Sequence, residues 1–236
     1  MNVPILSRCK EHNGHVVVVS DLVVPTHERT SYRTKDRRLA LLYSSMIDGM
    51  RRLKDGTVGL IFTYPDHFPF MARDLIDPTA WHDFPDKYFP ECRRVLQADG
   101  HIVLFLENFA LASVVYSASK AGFKIVSQSI VRMTIADEPL TSTFLDDFHT
   151  YKTCLVLVRK GQDSDKRIGD IKLKNAERHI VNLYSSGLIL DTSCIHYPFV
   201  LAGRKVARTV GIVSDRKRYN VIKERIKETN KEPSDE

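Results

Sequence analysis

Residues 188–212 read LILDTSCIHYPFVLAGRKVARTVGI, and residues 60–68 read LIFTYPDHF. The first stretch is an apolar strand, a loop, a helix and a second apolar strand. The other is an apolar strand that runs into the loop Tyr64, Pro65, Asp66 and His67. Short strands that are apolar without alternation are buried on both faces. That is the pattern of a parallel sheet with helices packed on each side.

The same succession of strands and helices fills the rest of the chain. HVVVVSDLVV (15–24) reads as a strand or hairpin arm. Residues 36–54 mix helix and strand signals, with a short strand around Leu41–Tyr43. VGLIF (58–62) is a buried strand, and residues 83–97 place Phe84, Tyr88, Cys92, Val95 and Leu96 on one helix face. Asp99-Gly100 predicts a turn before the strand HIVLFL (101–106). A helix over 109–121 stops at Gly122. Strands at 123–133 and 152–161, helices at 174–186, 198–208 and 215–228, and the strands LILD and TVGIV complete the series. The expected fold is α/β and doubly wound. Its sheet has seven strands, mostly parallel, with one antiparallel strand from 123–133 or 152–161. We divide the chain into an N-terminal extension (1–38), a main domain (39–228) and a polar tail (229–236).

Composition narrows the function classes. The chain has 236 residues, 43% of them hydrophobic, enough for one sizeable core. Its four cysteines are widely spaced and form no CxxC or Cys/His cluster, so neither a metal site nor a disulfide framework is expected. No apolar leader or membrane span is legible, and the expected location is intracellular. The net charge of +6 is unevenly placed. Arg29, Arg33, Lys35, Arg37 and Arg38 cluster before the main domain, and Arg204, Lys205 and Arg208 follow the second motif. Such clusters suit a polyanion such as double-stranded DNA, or are an ordinary solvated surface.

The order of segments resembles the β-class DNA amino-methyltransferases, which methylate the exocyclic amine of adenine or cytosine. LLYSSMIDGMRRLKDGTVGLIFTYPDHF (41–68) looks like the segment that ends in the family's catalytic tetrapeptide. ECRRVLQADGHIVLFL (91–106), AGFKIVSQSIVRM (121–133) and YKTCLVLVRKG (151–161) are similar to the segments that follow it. LILDTSCIHYPF (188–199) matches the register of the family's Leu-Asp-Pro-Phe-x-Gly-x-Gly cofactor loop. GIVSDRKRYNVIKERI (211–226) resembles the next strand and helix, with the usual Tyr at Tyr219. The resemblance implies the S-adenosylmethionine-dependent methyltransferase fold in its permuted order.

The same resemblance implies a degenerate site. The tetrapeptide begins with Asp, Asn or Ser, followed by two prolines and an aromatic residue that stacks on the flipped base. Here the positions hold Tyr64, Pro65, Asp66 and His67, and a phenol cannot replace a short acceptor at fixed reach. The cofactor loop needs glycines for close approach, yet Ile195 and Tyr197 stand there. The acid that binds the ribose is replaced by Val213, with Asp215 nearby, and only Asp191 of the cofactor set is kept. The expectation is a catalytically inactive protein without S-adenosylmethionine. It would act as a DNA-binding or scaffolding subunit, as a homodimer or beside an active methyltransferase or another DNA-processing partner. Heterodimeric enzymes with one inactive half are the precedent. The alternative is a divergent active enzyme that binds S-adenosylmethionine and recruits Asp66 and Asp215. DNA binding is expected to be weak and non-specific. It would run through Arg29, Arg33, Lys35, Arg37, Arg38, Arg204, Lys205 and Arg208, gathered on one rim of the cleft beside the cofactor loop.

Overall fold

The computed structural model describes residues 16–19, 22–25, 31–63, 78–106, 110–132, 151–166, 176–194 and 197–229. Strands β1 (Val16–Val19) and β2 (Leu22–Pro25) pair as an antiparallel hairpin of their own. The main sheet uses β3 (Ser31–Arg33), β4 (Leu39–Tyr43), β5 (Val58–Thr63), β6 (Leu96–Leu106), β7 (Phe123–Arg132), β8 (Tyr151–Arg159), β9 (Leu188–Asp191) and β10 (Thr209–Val213). The helices are α1 (Met46–Arg51), α2 (Pro78–Val95), α3 (Leu111–Lys120), α4 (Ala176–Leu183), α5 (Tyr197–Val206) and α6 (Arg216–Thr229).

The spatial order is β3-β4-β10-β9-β5-β6-β8-β7. The five strands from β4 to β6 are mutually parallel. β8 runs antiparallel to β6, as one of the two candidate segments was expected to do, and β7 pairs antiparallel with β8. The sheet has eight strands where seven were expected. The additional strand is β3, a three-residue segment inside the N-terminal extension that pairs antiparallel with β4. A strand this short carries almost no periodicity; it is held by its pairing with β4 and by Tyr32, which packs beside Tyr219 and Ile222 of α6.

The apolar strands are buried on both faces, as their composition requires. β5, β9 and β10 are buried at every residue. Alternate side chains feed two layers. Ile61, Ile102, Leu104, Leu190 and Ile212 pack with Met50, Tyr88, Phe89 and Val114 from α1, α2 and α3. On the opposite face Leu60, Phe62, Val103, Phe105 and Ile189 meet Ile180 and Leu183 of α4 and Phe199 of α5. The Phe199 ring stacks on Phe62 at 4.5 Å between centroids, which seats α5 on the sheet. Leu39, Leu41 and Val213 extend that face beneath Tyr219, Ile222 and Ile226 of α6.

The turn expected at Asp99-Gly100 lies inside β6, which begins at Leu96 directly after α2. The register against β5 shifts between Val58↔Leu96 and Leu60↔His101, so the extra residues are taken up as an irregularity within the strand. Gly59 sits at this shift because the backbone of Ser186 crosses it: a Cβ at Gly59 would lie 1.6 Å from the Ser186 carbonyl oxygen. No helix among the described residues is long and apolar enough to cross a membrane.

Candidate functional site

The parallel strands place their carboxyl ends along one rim of the sheet and their amino ends along the other. The motif residues that are described divide between the two rims.

At the carboxyl rim, β9 ends in Asp191, which is 3% exposed. Its Oδ1 accepts bonds from the Cys194 amide at 2.7 Å, the Ser193 amide at 3.1 Å and the Ser193 hydroxyl at 3.3 Å. Burial pushes the Asp191 carboxyl up to about 6, although these bonds pull the other way. The loop is thereby folded back on its own aspartate. Cys194 takes a left-handed φ of 45°, and its buried thiol lies over β10, where a Cβ on Gly211 would be 2.4 Å from Sγ. The Thr192 amide donates to the Phe62 carbonyl at 3.0 Å, and the Thr192 hydroxyl is 3.1 Å from that of Tyr88. The start of the loop is therefore tied to β5, α2 and β10 at once.

Next along this rim, Val213 ends β10 in register with Tyr43 and is buried. It offers no acceptor where the resemblance implies an acid for the ribose. A cation stands nearby instead, with the Arg216 guanidinium 4.9 Å from the Tyr43 ring centroid and 5.5 Å from that of Tyr219. Sequence reasoning missed this stack. The i, i+3 spacing of Arg216 and Tyr219 signals one half of it, but Tyr43 arrives from a distant strand. Asp215 is already engaged, since its Oδ1 accepts from the Arg218 amide at 2.6 Å and caps α6. Tyr64, Pro65, Asp66, His67 and Ile195 lie outside the described residues. Tyr197 opens α5, and its side chain lies outside them too.

The basic residues come together at the opposite rim. Thr209, at the start of β10, pairs with Leu39, at the start of β4, and the Thr209 amide donates to the Arg38 carbonyl at 2.7 Å. Arg38 Nη2 donates to the Lys205 carbonyl at 3.1 Å, and Arg204 forms an ion pair with Asp36 at 2.7 Å. The loop between β3 and β4 thus rests on the end of α5. Arg33, Lys35, Arg37, Arg38, Arg204, Lys205 and Arg208 share this corner with a single carboxylate from the two segments, Asp36. Against the cost of burial, bonds from Thr34, Arg38 and Arg204 hold the Asp36 carboxyl down to about 2. Burial and the neighbouring Arg37 both lower the Arg33 pKa, a mark of crowded positive charge. The cluster therefore forms, but not beside the cofactor loop. α5 begins at the carboxyl rim and returns the chain to the amino rim, so Arg204, Lys205 and Arg208 lie at the far end of the helix from Asp191. Arg29 lies outside the described residues.

With this geometry established, solved structures supply a likeness for the fold. A Thermus thermophilus protein, provisionally assigned as a DNA modification methylase, superposes with a TM-score of 0.61 at 16% identity, over 81% of this chain and 94% of that one. The same protein complexed with S-adenosyl-L-methionine matches with a TM-score of 0.59 at 18% identity, over 80% and 94% of the two chains. PvuII DNA methyltransferase, which is cytosine-N4-specific, matches with a TM-score of 0.58 at 11% identity, over 83% and 94%. No family model matches the chain, and neither does any curated protein. The fold, with its mostly parallel main sheet, is that of the S-adenosylmethionine-dependent methyltransferases. At these identities the likeness speaks for the fold alone.

Proposed function

We propose that the protein uses a methyltransferase fold without its methylation chemistry, and serves inside the cell as a DNA-binding or scaffolding subunit beside an active partner. The observation that carries this reading is the basic corner built by the pairing of β4 with β10. That pairing joins two segments far apart in sequence, which between them hold seven basic residues and one carboxylate, Asp36. A surface of this kind neutralises backbone phosphates without reading bases. The state of the carboxyl rim supports the second half of the reading. The Asp191 Oδ1 is committed to its own loop, Asp215 to a helix cap, and Val213 brings no acceptor. These residues do not fit S-adenosylmethionine as the family resemblance would hold it. A divergent active enzyme is the second reading, favoured by the retention of Asp191 at the end of β9 and by the cofactor bound to the Thermus protein.

Calorimetry with S-adenosylmethionine separates the two. We expect no binding tighter than about 100 μM, near −5.5 kcal/mol, and tighter binding would establish the second reading. The combined change Ile195→Gly, Tyr197→Gly and Val213→Glu is expected to restore measurable affinity. Tyr64→Asp alone is not expected to restore methylation, because the cofactor residues would remain altered.

Duplex DNA is expected to bind with little sequence preference. The slope of log affinity against log salt should be about 0.9 for each phosphate neutralised. Changing Lys35, Lys205 and Arg208 together to glutamate should weaken binding roughly a hundredfold at low salt and flatten that slope. Arg204 is left intact because a glutamate there would face Asp36. An unchanged affinity in gel-shift titration, or no complex at low salt, would sink the DNA-binding reading.

A further inference from the structure

A second basic feature lies further along the amino rim. α2 ends in Arg93 and Arg94, and β8 ends in Arg159. With Asp55, Gly56 and Pro90 these three arginines line an open cavity of about 570 Å³. It is set below β5, β6 and β8, while the basic corner described above belongs to β4 and β10. At about 4.8 Å per strand, β10 and β6 are roughly 14 Å apart.

The charges in this cavity do not balance. Arg94 is neutralised by Asp55 at 2.5 Å and Glu91 at 2.8 Å, and it also donates to the carbonyls of Met50 and Leu53. Arg93 and Arg159 have no carboxylate partner among the described residues. Arg93 donates from Nη1 to the carbonyls of Ala121 at 3.3 Å and Gly122 at 3.1 Å. Arg159 donates from Nη2 to the carbonyls of Arg93, at 2.7 Å, and Leu96. These bonds close the ends of α3 and α2, which accounts for one nitrogen of each guanidinium. They do not account for two cations side by side at a cavity. The Nε of Arg159 is itself buried, with no hydrogen-bond partner among the described residues. Burial and the charge of Arg93 both lower the Arg159 pKa, so the pair is held together against its own repulsion.

We propose that the cavity between Arg93 and Arg159 binds a phosphate group, carried by a small nucleotide or by the DNA backbone. Guanidinium forks match phosphate oxygens in pairs, and two of them can meet a single group. Pro90 gives the cavity an apolar wall, and its volume exceeds that of one phosphate. The assignment is independent of DNA binding at the β4–β10 corner.

Titration of the full chain with inorganic pyrophosphate tests it, at fixed ionic strength and followed by calorimetry and phosphorus NMR. Saturable binding near millimolar is expected. Arg93→Gln should weaken it about tenfold or more, the loss of one charge-assisted bond. The Lys35, Lys205 and Arg208 to glutamate variant should leave it unchanged, which separates this site from the basic corner. Arg159→Gln should have the same effect as Arg93→Gln. If Arg159→Gln fails to fold, the exposed Arg93 decides the matter alone. Competition by ADP but not by duplex DNA would assign the phosphate to a nucleotide, and displacement by duplex DNA would assign it to the backbone. Absence of saturable binding, or equal affinity in wild type and a folded Arg93→Gln, overturns the proposal.

Discussion

Asp191→Asn is expected to make the protein more stable at pH 8 and to leave it unchanged at pH 4. Burial holds this carboxyl up at about 6, whereas an unfolded chain would release the proton near 4. Between those values the folded state carries a proton that the unfolded state has lost. Stability therefore falls as pH rises from about 4 to about 6 and is flat above that. At roughly 1.36 kcal/mol per pH unit, the asparagine variant should recover up to about 3 kcal/mol at pH 8. The substitution keeps the local structure, because the three donors from Ser193 and Cys194 all converge on one oxygen that an asparagine carbonyl can replace. Chemical denaturation at pH 4, 6 and 8 provides the check. A difference that does not vary with pH, or a loss of stability at pH 8, would show that the buried charge is not what the loop is managing. The result bears on function too. If Asp191 is kept to hold cofactor, the same change would lower affinity for S-adenosylmethionine; if it is kept to fold the loop, there is no such affinity to lose.

A large loss of stability is expected at Gly59. An alanine Cβ there would lie 1.6 Å from the Ser186 carbonyl oxygen and 2.8 Å from its carbon. Both are backbone atoms, and the segment is pinned on either side. Ser186 Oγ donates to Gln97 at 2.6 Å, and the Leu188 amide donates to the Thr57 carbonyl at 2.9 Å. The adjacent Gly187 cannot absorb the shift. It sits at φ 82°, and a Cβ of its own would already be 2.6 Å from the Thr57 carbonyl. Gly59→Ala should therefore cost more than about 4 kcal/mol, in the range where a domain of this size stops folding. Gly56→Ala is the comparison. Its φ of 63° strains an alanine, but nothing lies within 4 Å, so about 1 kcal/mol is expected. Thermal melts of the two variants should differ widely, and similar melting temperatures would mean that the β5–β9 approach is looser than described.

These two positions bracket the strand pair that carries both sequence motifs. In the register of the cofactor loop the chain spends its aspartate, a left-handed residue and a threonine on anchoring its own backbone. The neighbouring end of β10 carries an arginine stacked on tyrosines.

The parallel sheet and its covering helices are legible in the chain alone. Strands such as LILD and TVGIV are apolar at successive residues, and only burial on both faces tolerates that. The stop at Gly122 is legible too, since that glycine adopts positive φ just after α3, whereas α4 ends at Leu183, short of the expected 186. The motif order indicated the methyltransferase fold, and the substitutions at Val213 and around Asp191 could be read one residue at a time. Where the charge goes was settled only by packing in three dimensions. The basic segments at 33–38 and 204–208 meet because β4 and β10 are neighbours in space, a pairing no local pattern reports. Their placement away from the cofactor loop follows from direction. A ten-residue helix rises about 15 Å, so α5 carries its last turn from the carboxyl rim to the amino rim. The stacking of Arg216 on Tyr43 and the approach of Arg159 to Arg93 were equally invisible. Each joins side chains from elements far apart in the chain, and periodicity speaks only for neighbours within one element.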